Sequence, residues 1–358
     1  MGKDKKSGFI VNEGEPSLRA VSDFMNQTKE LRKSKATDEF SNLNVPISID
    51  FLHQLSILGP KESLEILRKH PGCEQDERIE SLKLALKIYN ACCTDLNQSV
   101  SLFSSRVKDI NFEVDNESSE HDMINIKVQK DLYSVCNSAK MLINICRKVN
   151  NVFNIEGYTE KVNEYFLNTK LHYFIIEFRN ILSHSLIIKA NWTVHLSFGE
   201  KPADALYYIY KSELMKFYDQ FNLNAKAYID SIKDKVDICS IANSYSMSVN
   251  KFYRWYFSEI EGNLPQKVKD YRRCIAYINS NSSIMSYNLM IKTWIDRNVN
   301  PYRHLHRLLT RKQLCEIYKY PNNSKEQVDR IISFLDVHDI ASGEFRNSIY
   351  ELFNVIGI

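Results

Sequence analysis

The sequence predicts an all-α protein: a helical bundle with one small inserted β-hairpin, flanked by N- and C-terminal helical modules. Three observations predict it. Only 10 glycines and 8 prolines occur in 358 residues, too few for the turn-rich connections of an all-β chain. Long stretches repeat apolar residues with the period of a helix. One stretch, 192–210, breaks that texture with strand-like alternation. At 44% hydrophobic and 25% charged residues, the composition is that of an ordinary globular chain with material for real cores.

Taken in order, residues 1–45 are polar, with Gly14, Pro16 and a mixed-charge run from Lys29 to Lys35. A helix is expected around Ser17–Leu31, after a mobile start. Residues 46–121 form an N-terminal helical region. Ser63, Leu64, Ile66 and Leu67 make a short amphipathic piece, stopped by His70-Pro71-Gly72 because proline and glycine interrupt the helical ladder. Ile79, Leu82, Leu86 and Tyr89 then line one stripe of a stronger helix. The acidic, polar run Phe112–Asp122 reads as a surface loop and a boundary.

Residues 122–262 form the central bundle. Its clearest helix spans 126–150, where Leu132, Val135, Cys136, Ala139, Leu142, Ile143 and Cys146 recur at i, i+3, i+4 and i+7. A second helix is expected from a Thr159 N-cap through Phe166, Leu167, Tyr173 and Phe174 into the Arg179 region. The hairpin pairs Trp192–Phe198 with Leu206–Tyr210 across a turn at Gly199–Ala203. Helix resumes at Ser212 and runs to about Glu261, and Gly262-Asn263-Leu264-Pro265 closes the module. Residues 263–358 form a C-terminal helical module with breaks at Asn298–Pro301 and Tyr320–Asn323.

The net charge of +3 is too weak a bias to imply a nucleic-acid partner by itself. Eight cysteines are scattered with no CxxC pair, which fits reduced, buried thiols in a reducing compartment. Met1–Ser7 holds no apolar h-region, and Lys6 stands where a myristoylation start wants Ser or Thr. No apolar run approaches membrane-spanning length. A soluble, cytoplasmic chain with no membrane partner is expected.

One segment carries distinctive chemistry: Arg179-Asn180-Ile181-Leu182-Ser183-His184. On a helix, Phe174, Ile175, Phe178, Ile181 and Leu182 form a core-facing stripe, while Glu177, Asn180 and His184 share one flank of it. Arg179 falls on the opposite flank. One straight helix cannot aim Arg179 and His184 at the same phosphate, so the helix must bend or end near Ser183, or a second subunit must supply half of the site. The residue types suit RNA cleavage, because RNA carries its own nucleophile in the 2′-hydroxyl. The reaction needs a base near neutral pH, which histidine supplies. It also needs a fixed cation for the crowded phosphate, and the planar fork of arginine fits those oxygens. No metal or other cofactor is required. The plain alternative is a solvated helix end, with His184 near the C-terminus favoured by the helix dipole.

Arg179-Asn180 followed by His184 resembles the RNxxxH form of the motif of HEPN-domain ribonucleases, and the helices around it extend the resemblance over roughly residues 122–262. The resemblance implies a helical bundle that pairs as a homodimer with both motifs lining one cleft. It implies a metal-independent endonuclease of single-stranded RNA or tRNA that leaves 2′,3′-cyclic phosphate ends. Such proteins act in antiviral defence, in abortive infection or as toxins, with a regulatory or antitoxin partner. Arg179 and His184 would be catalytic, Asn180 would orient His184 or the substrate, and Glu177 and Ser183 would support them. The competing class is a non-catalytic dimerisation or nucleotide-binding scaffold in a defence complex. Geometry discriminates: an Arg179 or His184 buried in a salt bridge favours the scaffold, and Arg179 and His184 from two protomers facing a common open basic cleft favour the enzyme.

Three further groups are weaker. Arg303, His304, His306, Arg307, Arg311 and Lys312 form a basic run that could touch RNA phosphates. The preferred reading is a solvated helix face with Leu305, Leu308 and Leu309 on the core side. Tyr253, Trp255, Tyr256 and Phe257 could stack on bases but read as core. His70 with Cys73, Cys92 and Cys93 has no zinc-ligand spacing.

Overall fold

The computed structural model describes residues 49–56, 60–106, 119–184, 188, 190–195, 204–337, 339 and 341–355, together with Gln27. The expected helix at Ser17–Leu31 apart from Gln27, its expected mobile lead, most of the acidic run at 112–122, and residues 196–203 of the expected hairpin and its turn lie outside the described residues. The chain divides into two compact units, one built from residues 1–76 and 265–358, the other from 77–264. The N-terminal helical region, read along the chain as 46–121, is thus divided: its part up to residue 76 belongs with the C-terminal segment, and residues 77–121 belong to the second unit. No helix among the described residues is long and apolar enough to cross a membrane.

The first unit holds α1 (Ile49–Ser56), α2 (Pro60–Leu67) and the start of α3 (Cys73–Arg106). It continues with α10 (Gln266–Asp296), two 3-10 turns at Pro301–Arg303 and Leu305–Arg307, α11 (Arg311–Ile317), α12 (Lys325–Leu335) and α13 (Gly343–Leu352). The long α10 serves two cores. Its first half meets Phe51, Leu52, Leu55, Ile66 and Leu67 of α1 and α2 through Cys274, Tyr277 and Ile278. Its second half buries Ile291 and Trp294 against Leu305, Ile317, Val328, Ile331, Phe345 and Ile349. Side-chain oxygens of Thr310, Ser324 and Ser342 cap α11, α12 and α13 by accepting the third backbone N–H of each.

Gly72 follows the end of α2 as expected, but its reason is different. A Cβ there would lie 2.1 Å from the Lys267 carbonyl oxygen on α10, so the position requires glycine for backbone approach.

The second unit is a bundle with a small sheet. It contains most of α3, then α4 (Ser119–Phe153), α5 (Tyr158–Val162), a π-helical turn (Asn163–Leu167) and α6 (Lys170–His184). The sheet strands are β1 (Asn191–His195), β2 (Asp204–Tyr210) and β3 (Lys235–Asp237), with α7 (Lys211–Met215), a 3-10 turn at Tyr218–Gln220 and α8 (Leu223–Ser231) before β3, and α9 (Ile238–Gly262) after it. The apolar stripe of α4 is buried at Leu132, Val135, Cys136, Ala139, Leu142 and Cys146, while Ile143 is half-buried. Of the aromatic cluster on α9, Tyr253 and Tyr256 are buried in the core, while Trp255 and Phe257 are half-buried. The α6 helix packs on α4 and α8, and α9 underlies β2 and β3.

Three expectations need correction. The second helix does not start on a Thr159 cap. Gly157, at φ 73°, is the N-cap, and the π turn closes with Asn168 N–H donating to the Asn163 carbonyl at 2.9 Å, so the chain breaks before α6. The hairpin is a three-stranded antiparallel sheet in the order β1-β2-β3, with Tyr208 opposite Asp237. The stretch from Ser212 to Glu261 is accordingly interrupted by a strand rather than helical throughout.

Candidate functional site

The motif lies on the last turns of α6. Ile181 and Phe178 are buried and Leu182 is half-buried, which anchors the helix and turns its polar residues outward. The described part of the helix runs to His184. The His184 side chain lies outside the described residues.

Arg179 is half-buried, and hydrogen bonds to amides hold it in place. Its Nε donates to Asn137 Oδ1 on α4 at 2.9 Å, and its Nη1 donates to Asn180 Oδ1 at 3.4 Å. Asn180 Nδ2 donates to Glu177 Oε2 at 3.2 Å, and the other Glu177 oxygen accepts from Asn222 Nδ2 at 3.0 Å. Asn222 also caps α8 through Oδ1, which accepts the Ala225 N–H at 3.0 Å. A relay therefore runs from the start of α8 through Glu177, Asn180 and Arg179 to α4. Asn180 positions the arginine, in addition to any role toward His184. Among the described residues Arg179 makes no ion pair. Its neighbours are neutral amides, so its positive charge is held in place without being cancelled.

Arg179 lines a cavity of about 580 Å³ with Tyr133, Ser134, Asn137, Lys140 and Asn144. Lys140 adds a second positive charge. Among the described residues no salt bridge buries Arg179, and it opens into a cavity that Lys140 also lines.

Four residues of this site escaped the sequence reading: Tyr133, Asn137, Lys140 and Asn222. The first three recur at i, i+4 and i+7 on the polar side of α4, a spacing visible in the sequence, but nothing in the sequence says which helix they face. Tyr133 is exposed. Contacts with Ser183 first, then Asn137, and the positive charge of Arg179 hold its phenol below its ordinary value. Ser183 Oγ is closed off from solvent and makes no hydrogen bond of full geometry, with the Tyr133 phenol as its polar neighbour.

The basic run belongs to the first unit, not to this bundle. Arg303, His306, Arg307, Arg311 and Lys312 are exposed and Leu305 and Leu309 are buried, but the carrier is a pair of 3-10 turns leading into α11, not one helix face. His304 lies half-buried against Trp294, with ring centroids 5.5 Å apart. Among the described residues no group of three or more His, Cys, Asp or Glu side chains is arranged to hold a metal ion.

Comparison with protein-family models, with curated proteins and with solved structures gives no match for this chain. The candidate site therefore rests on its own chemistry.

Proposed function

We propose that this chain is an endonuclease of single-stranded RNA or tRNA that works through Arg179 and His184 and needs no metal ion. The observation that carries the proposal is the state of Arg179: oriented by Asn137 and the Asn180–Glu177 relay, in no ion pair among the described residues, and open to a cavity that also holds Lys140. A cation kept this way is poised for an anion from outside the fold. An arginine needed only for packing would be expected to pair with the nearby carboxylate. Glu177 instead spends both oxygens on amides.

In the reaction the 2′-oxygen of the substrate attacks the adjacent phosphorus as His184 accepts its proton. The bond from phosphorus to the 5′-oxygen breaks, and that oxygen takes up a proton. The products are a 2′,3′-cyclic phosphate and a 5′-hydroxyl. Arg179 and Lys140 offset the charge that builds on the non-bridging oxygens, and the Tyr133 hydroxyl donates toward the same oxygens. Pairing with a second copy would bring two motifs to one cleft, as the HEPN resemblance implies, with a role in defence or as a toxin under a regulatory partner.

The test is cleavage of total tRNA and of a long single-stranded RNA in EDTA by the wild-type chain and by His184→Ala. Cleavage by wild type alone, with cyclic-phosphate ends, supports the assignment. Intact RNA from both would overturn it and leave the bundle a binding or dimerisation role.

A further inference from the structure

The sheet that follows the motif builds a second, larger cavity of about 1040 Å³ beside the arginine site. Asn125, Gln129 and Tyr133 of α4 form one side, and Trp192, Tyr208 and Tyr210 of β1 and β2 form the other. Tyr133 lines both cavities. Leu182, the residue before Ser183 in the motif, also lines the larger one.

The walls are built to stay in place. The Trp192 indole is fixed by Phe103 at 5.4 Å and by His121, edge-on, at 5.3 Å between centroids. Gln129 clamps the chain entering β1 with both ends of its amide: Nε2 donates to the Ile188 carbonyl at 2.9 Å, and Oε1 accepts the Ala190 N–H at 3.0 Å. Asn125 Oδ1 accepts from the Tyr207 hydroxyl at 2.5 Å. Tyr208 is the back wall, with Lys235 4.0 Å from the centre of its ring and its hydroxyl bonded to Thr193 at 2.8 Å and Tyr210 at 3.0 Å. Trp192, Tyr133 and Tyr210 remain half-buried or exposed, so rings are open to the cavity with little freedom left to lose on binding.

Flat, rigid aromatic faces a short step from a fixed phosphate-binding cation match the two chemical halves of a nucleotide. A planar base gains from stacking on such faces whatever its identity, and the volume sits at the upper end of the roughly 300–1,000 Å³ of small-molecule sites. We propose that this cavity is a nucleobase subsite: the sheet and α4 receive an unpaired base of the strand, and Tyr133 spans from it to the phosphate at Arg179. The proposal rests on RNA being the substrate of the arginine site. It gives the inserted sheet a function, that of choosing unpaired RNA, because a base inside a duplex cannot enter the cavity.

The experiment measures occupancy apart from cleavage. Trp192 is one of three tryptophans, and its fluorescence, excited at its red edge, reports a stacked base. Wild type and Trp192→Phe are titrated with adenosine 5′-monophosphate, uridine 5′-monophosphate and ribose 5-phosphate, and binding is followed in parallel by calorimetry. Both nucleotides should quench saturably, ribose 5-phosphate should not, and Trp192→Phe should lose the quench while retaining the heat of binding. Trp192→Ala should weaken nucleotide binding about tenfold. Equal behaviour of ribose 5-phosphate and the nucleotides, or no saturable binding of either nucleotide, overturns the subsite. RNA cleavage, assayed on the same proteins, separates the two ideas. Base quenching without cleavage removes the nuclease and keeps the subsite. Cleavage unchanged in Trp192→Ala removes the subsite and keeps the nuclease.

Discussion

The helix that carries the arginine also carries a buried histidine, and that histidine sets how the bundle responds to acid. His172 sits two turns before Arg179 on α6, only 9% exposed. Its Nδ1 lies 3.0 Å from the Tyr245 hydroxyl and its ring 5.3 Å from that of Phe166. Burial first, then the positive charges of Arg147 and Lys140, push its pKa from 6.5 down to about 4. The folded value lies below the unfolded one. As pH falls below 6.5, the unfolded chain takes up a proton that the folded chain refuses, and stability is lost until both forms are protonated below about 4. The full gap of about 2.5 pH units is worth about 3.4 kcal/mol, and about 2 kcal/mol of it disappears between pH 7.5 and pH 5. Urea denaturation across that range, on wild type and on His172→Asn, isolates the effect. Asparagine can still meet the Tyr245 hydroxyl but does not titrate. The difference in stability between the two proteins should therefore shift by about 2 kcal/mol with pH. Parallel curves would refute the reasoning, because His172 would then ionise equally in both states.

Three further outcomes follow from the geometry. Arg179→Lys keeps the charge but loses the fork that meets Asn137 and Asn180. RNA cleavage should fall about 100-fold while RNA affinity changes only a few-fold, and unchanged cleavage would show that the fork is not used. Gly72→Ala drives a methyl onto the Lys267 carbonyl and should destabilise the first unit by about 1–3 kcal/mol, read as a lower unfolding midpoint; an unchanged midpoint would contradict the close approach. Gln129→Ala leaves the Ile188 carbonyl and the Ala190 N–H without their side-chain partner. That should cost about 1–3 kcal/mol and speed hydrogen exchange at Ala190 and along β1, and unaltered protection would show that the amide clamp does not hold the strand.

What was legible in the sequence follows the range over which each feature is determined. The stripe of α4 is local: seven apolar residues at helical spacing need only a neighbour to cover them, and six are buried. The strand β3 is not local. Lys235-Val236-Asp237 has no pattern long enough to read, and it becomes a strand because Tyr208, Ile209 and Tyr210 offer it a ladder. Gly72 looked like a helix stop, while its actual constraint is a carbonyl 195 positions further along the chain. The break before α6 turns on the π-helical turn at Asn163–Leu167, closed by the bond from Asn168 N–H to the Asn163 carbonyl, which hydrophobic periodicity does not register.

The site divides along the same line. Arg179, Asn180 and His184 stand together in the sequence because one helix end carries them, and Glu177 joins them at i−3 from Asn180. Asn137 and Tyr133 are contributed by another helix, 42 residues or more before Arg179, so no spacing rule reaches them. Yet they change the meaning of the motif. With Glu177 alone in view, the simplest expectation is a carboxylate pairing with a nearby arginine, which would fit a structural helix end. Asn137 removes that expectation by supplying a neutral partner from another helix, and Asn222 occupies one oxygen of Glu177. Three asparagines and one glutamate thus hold the guanidinium firmly, and among the described residues no ion pair offsets its charge. That combination is costly to keep at a half-buried position unless an anion from outside completes it.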